Sequence, residues 1–114
     1  MRGLRFGLVG CGAMGNVIVG HVIKRWGRKA RWTGLCDTSA EAARALCTRW
    51  SVRIPIQKLD RLVAGADWVV EAASSSVVPG VLRHCLAKKK NLVVHRRFES
   101  SENLVISKEM KMCR

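Results

Sequence analysis

The sequence predicts an α/β fold of the Rossmann type, a doubly wound parallel sheet of about five strands with helices on both faces. Three observations carry that expectation. Apolar runs of strand length alternate with helical periodicities. Three glycines, Gly10, Gly12 and Gly15, stand where the first apolar run gives way to the first helical pattern. An aspartate, Asp37, closes the second apolar run. Strand–helix–strand alternation implies parallel pairing through right-handed crossovers.

The first strand is Leu4–Val9, a short apolar run. Ala13–Trp26 carries Met14, Val17, Ile18, His21, Val22 and Arg25 at three-four spacing and reads as a helix, with Gly27 just beyond its basic last turn. Ala30–Cys36 is the second strand, and Asp37 or Thr38 is the expected cap of a second helix over Ser39–Trp50, whose Ala43, Leu46, Cys47 and Trp50 share a face. Val52–Ile56 is expected as a short third strand, held toward a sheet edge by Pro55. A short helix over Gln57–Ala64, a strand over Trp68–Ala72, a helix over Ser76–Ala87 with Pro79 in its first turn, and a strand over Asn91–Val94 complete the alternation.

Composition bounds the function. At 114 residues the chain is one domain at most, and 48% hydrophobic content excludes a disordered tail. No apolar run reaches the ~18 residues of a membrane span, and the glycines from Gly7 to Gly15 argue against a signal-peptide helix. The five cysteines form no C-x-x-C pair and no zinc-like cluster, so they read as thiols of a reducing, cytoplasmic compartment, and no metal site is expected. The net charge of +13 raises nucleic acid as a partner. The basic residues are scattered along the chain, however, apart from Arg28, Lys29 and Arg31 and the run Lys88–Lys90. No tyrosine or phenylalanine interleaves with them, so nucleic acid stays a distant alternative and an anionic small ligand is the nearer one.

The glycines fit G-x-G-x-x-G between a strand and a helix. Gly10 allows the tight turn, Gly12 lets a pyrophosphate approach the backbone, and Gly15 lets the helix pack on the sheet. Cys11, Ala13 and Met14 fill the turn, where unpaired N–H groups at the helix start face the phosphates. Asp37 lies where a carboxylate accepts the adenosine ribose hydroxyls, or else caps a helix. Ala72, Ala73 and Ser74, at the carboxyl end of a strand, are small enough for a ring and ribose to come close, while Ser74–Ser76 also suit a helix cap. Glu71 reads as a structural acceptor. The expected ligand is a dinucleotide, NAD, with NADP possible.

The stretches "LRFGLVGCGAMGN", "WTGLCD", "ADWVVEAASSSVV" and "LAKKKNLVV" resemble the N-terminal half of the L-aspartate dehydrogenase family over about residues 4–94. The resemblance implies a Rossmann domain that precedes a mixed α/β catalytic and oligomerisation domain. It also implies oxidation of L-aspartate to iminoaspartate with NAD or NADP, in NAD biosynthesis. Relative to that family the sheet is expected to be incomplete. The family's next segment, a small-residue S-x-G-A-like loop against the nicotinamide, is replaced by "HRRFESSENLVISKEMKMCR", so residues 1–94 read as the cofactor domain and 95–114 as an off-pattern, poorly ordered tail. An abrupt end to the resemblance suggests a change of reading frame beyond Val94. No catalytic residue carries over: His95 matches nothing, and His21 and His84 fall on predicted helices. The expectation is the NAD-binding half of an aspartate-dehydrogenase-like oxidoreductase, inactive alone and with no homo-oligomer implied. The alternative is a stand-alone dinucleotide-binding module or a non-functional remnant.

Overall fold

The computed structural model describes residues 3–73, 75–97 and 103–106. Its sheet has five strands, β1 (Leu4–Val9), β2 (Ala30–Cys36), β3 (Trp68–Glu71), β4 (Asn91–Arg97) and β5 (Asn103–Ile106), in the order β2-β1-β3-β4-β5. The first four are parallel and β5 runs antiparallel to β4. The helices are α1 (Ala13–Trp26), α2 (Ala40–Trp50), α3 (Leu59–Gly65) and α4 (Val78–Lys88). None of the described helices is long and apolar enough to cross a membrane.

Strand alternation sorts the apolar residues to two faces. Val9, Val69, Leu92 and Val94 meet Leu62 and Val63 of α3, Ala66 just beyond it, and Val81 and Cys85 of α4. Leu8, Leu35 and Val70 point the other way and meet Val19 of α1 with Ala43 and Leu46 of α2. Each fully buried leucine contributes about 1.5–3 kcal/mol, and both faces must be covered for the parallel sheet to stand.

Local chemistry sets the boundaries. Helix α1 ends at Gly27, whose φ of 53° suits glycine and whose N–H donates to the Ile23 carbonyl, beside the basic Lys24 and Arg25. Helix α2 is capped by Ser39, whose hydroxyl accepts from the Ala42 N–H at 3.1 Å. The expected caps Asp37 and Thr38 do not serve, because the Asp37 carboxylate is turned toward the glycine turn. Helix α4 follows a 3-10 turn over Ser75–Val77, and its N-cap residue is Val77, which makes no side-chain cap bond.

The expected third strand over Val52–Ile56 does not form. A single parallel bridge joins Leu35 to Ile56, made by Leu35 N–H to the Pro55 carbonyl and Gln57 N–H to the Leu35 carbonyl, each at 2.8 Å. Pro55 has no N–H to extend the ladder. The fifth strand of the sheet comes instead from Asn103–Ile106, within the segment that the sequence sets apart, and β4 itself runs three residues past Val94 to Arg97.

Candidate functional site

The carboxyl ends of β1, β2 and β3 meet at one edge of the sheet, where ligands of open α/β folds bind. Gly10 leaves β1 with φ +100°, and its N–H donates to the Cys36 carbonyl at 2.8 Å, which ties the turn to the end of β2. A Cβ at Gly10 would stand 2.6 Å from the Ala73 nitrogen, so the turn lies directly against the loop after β3. A Cβ at Gly15 would collide with the Gly10 carbonyl oxygen and lie 3.2 Å from Leu8, so α1 descends onto the turn only because Gly15 has no side chain. Gly12, the residue before α1, differs: a Cβ there would meet nothing within 4 Å, and Gly12 and Ala13 are exposed. Open space above Gly12 and the first-turn N–H groups of α1, which have no partner within the helix, leave room for an anion at this helix start.

Asp37 is drawn into this turn. Its Oδ2 accepts the Cys11 N–H at 2.6 Å and its Oδ1 accepts the Ser39 N–H at 2.8 Å. The sequence placed Asp37 beside a ribose or at a cap; the structure makes it the brace between the glycine turn and the start of α2, with lone pairs still available. Cys11 is buried beneath it. Burial first, and the Asp37 charge second, push its thiol up to about 12, and the same two causes raise Cys36. Both are therefore neutral thiols near pH 7.

Glu71, at the end of β3, is only 1% exposed, and its Oε2 accepts the Ala73 N–H at 2.6 Å. That bond curls the loop so that Ala72 and Ala73 face Gly10. Ser74 lies outside the described residues. Met14 is half-buried in the first turn of α1.

A cleft of about 460 Å³ opens between these parts, lined by Val9, Gly10, Cys36, Asp37, Ala73 and also by Thr38, Leu59, Ser76 and Val77. Its lining is mainly apolar and includes Asp37, and among the described residues neither histidine nor lysine lines it. Sequence reasoning missed these last four residues, because they come from loops and from α3, whose approach to the site only the tertiary fold decides. It also missed Asn16, whose Nδ2 donates to the carbonyls of Gly12 at 2.9 Å and Cys11 at 3.3 Å and so pins the turn from below. An amide immediately after the third glycine is the signal that could have found it.

The chain is similar to known proteins. A family model described as homoserine dehydrogenase, NAD binding domain, matches residues 10–96. L-aspartate dehydrogenase of Methanocaldococcus jannaschii is 31% identical over 91 residues, which are 80% of this chain. They are only 34% of that protein, so the chain spans about a third of the length of the curated relative it matches. The WlbA dehydrogenase of Bordetella pertussis, solved with NADH and UDP-GlcNAcA, superimposes with a TM-score of 0.69 at 30% identity over 82% of this chain and 28% of its own. The WlbA dehydrogenase of Chromobacterium violaceum gives 0.70 at 27% identity, over 82% and 27%.

Proposed function

The chain belongs to the family of homoserine dehydrogenase NAD-binding domains, and from that premise we propose that it is the cofactor-binding half of an aspartate-dehydrogenase-like oxidoreductase of the cytoplasm. The observation that carries this is the pairing of open space above Gly12 with the crowded Gly10 and Gly15 on either side of it. The turn is built tight everywhere except where a pyrophosphate would need room.

In this reading Gly10, Cys11, Gly12, Ala13, Met14 and Gly15 hold the pyrophosphate through backbone N–H groups, and Asp37 accepts from the adenosine ribose. Thr38, Leu59 and Val77 flank the adenine, while Ala72, Ala73 and Ser74 lie along the nicotinamide ribose. NAD, once bound, supplies the hydride acceptor; the chain supplies position and electrostatics. A carboxylate at the ribose repels a 2′-phosphate, so NAD is favoured over NADP. L-aspartate is the substrate that the M. jannaschii relative suggests.

A general base must stand within hydrogen-bond reach of the proton it takes, and among the described residues the cleft lining offers neither histidine nor lysine. That observation favours a second reading, a dinucleotide-binding module without turnover. Calorimetric titration of the 114-residue polypeptide with NAD and NADP tests both. Binding of NAD, tighter than NADP, with no aspartate-dependent NADH, is the expected result. Aspartate-dependent NADH formation would overturn the module reading, and no binding of either cofactor would overturn both.

A further inference from the structure

The opposite edge of the sheet carries a second site. Parallel strands gather their amino ends at one edge, and every crossover helix delivers its carboxyl end there. Basic residues that are scattered in sequence therefore converge. The described carboxylates divide the other way: Asp37, Glu41, Asp60 and Glu71 stand at strand ends or first helical turns on the glycine-turn edge, and Asp67 alone faces the amino edge. Cations at helix ends, such as Lys24, Arg25 and Lys88, are accounted for by the helix dipole.

Arg5, Arg28 and Arg31 are not. Together with Gly3 they line a cleft of about 290 Å³, and no acidic residue lines it among the described residues. Arg5 is held in place by a two-pronged bond to Asp67, at 2.9 and 3.2 Å. Arg28 and Arg31 have no carboxylate partner among the described residues. Arg31 also borders a second, apolar groove of about 280 Å³ along the outer edge of β2, lined by Ile23, Trp32, Val52 and Ile54. Trp32 is 8% exposed, with its indole N–H buried, so it backs the groove rather than opening onto it. An arginine cleft that shares Arg31 with an apolar groove suits a nucleotide unit in a chain: phosphate in one, base in the other.

We infer that this amino edge binds single-stranded nucleic acid, with backbone phosphates in the Arg5–Arg28–Arg31 cleft and a base in the Trp32 groove. The inference is independent of the dinucleotide reading, since the two sites lie at opposite edges of the sheet.

Anisotropy of a fluorescein-labelled 20-nucleotide single strand, titrated with the full chain at several salt concentrations, tests it. R28E/R31E is compared with R44E/R61E, which makes the same change of net charge on exposed faces of α2 and α3, and thermal melts monitor folding of each. The expected result is at least a tenfold loss for R28E/R31E only. Its log K against log salt slope should be shallower by about 1.4, the value for two lost phosphate contacts on a single strand. Should R28E/R31E fail to fold, R28Q, at an exposed position of the 3-10 turn, is expected to lose affinity with a slope shallower by about 0.7. Equal losses from the two charge-matched pairs, an unchanged slope in R28Q, a duplex bound as tightly as the strand, or a poly-glutamate peptide that competes as well as the strand would each overturn the inference.

Discussion

Three glycines in six residues do different work, and substitution separates them. Gly12→Val adds a side chain to open space at an ordinary φ of −80°, so its stability should change by no more than about 1 kcal/mol. In the proposed reading the same side chain takes the room of the pyrophosphate, and NAD affinity is expected to fall a hundredfold or more, about 2.7 kcal/mol. Gly15→Ala reverses the pattern: its Cβ enters the Gly10 carbonyl, and overpacking of this kind costs about 1–3 kcal/mol. Urea titration with calorimetry on both variants checks the split, and equal behaviour of the two would refute it. Asp37→Asn removes the charge that receives the Cys11 and Ser39 N–H groups. We expect a stability loss of about 1–2 kcal/mol and a narrower gap between NAD and NADP, measured by parallel titrations. The glycine spacing and Asp37 were legible because they recur at fixed offsets from a strand end. That Asp37 braces the turn was not, since it depends on how far α1 and α2 close on each other across 26 residues of chain.

Among the elements, α1 was legible to the residue because a glycine stands at each end, Gly12 before its first turn and Gly27 after its last. Val52–Ile56 misled because an apolar run of five looks like a strand, while Pro55 cannot donate and a single bridge, Leu35 to Ile56, joins the segment to β2. Strand β5 was invisible for the opposite reason: Asn103–Ile106 pairs with β4, and nothing local marks that register. Helix α1 also holds a test of propensity against packing. At Gly20 alanine should favour the helix by about 1 kcal/mol, yet a Cβ there would collide with the Trp50 ring of α2. That ring is itself flanked by Lys24 and Arg49 at 5.6 and 5.3 Å. We expect Gly20→Ala to be destabilised by about 1–2 kcal/mol net, read from chemical denaturation; a stabilised variant would show that the α1–α2 contact yields.

For the whole molecule, pH acts from both ends. Hydrogen bonding to Arg5 holds the Asp67 carboxyl below its ordinary 3.8. A lowered folded-state value gives stability that is present above the unfolded value and lost as pH falls through the folded one. Stability should therefore decline below about pH 4, less steeply in Asp67→Asn. The raised Cys11 thiol works in the other direction: its contribution is full below the ordinary 9.0 and is lost as pH rises toward about 12. Urea midpoints across pH 3–11 should show both limbs, the alkaline one reduced in Cys11→Ala; limbs unaltered by these substitutions would assign them elsewhere. The sheet order has one more consequence, in the time domain of synthesis. The first strand made, β1, is flanked by β2 and β3 and is covered by helices on both faces. While the chain grows, β1 waits for its second neighbour until Glu71 has been added, about sixty residues later, or several seconds at ~5–20 residues per second. Through that interval "LRFGLV" presents one unpaired edge and incompletely covered faces to whatever surrounds the ribosome. Newly made chains of this protein should thus be captured by chaperones chiefly in the window before β3 emerges.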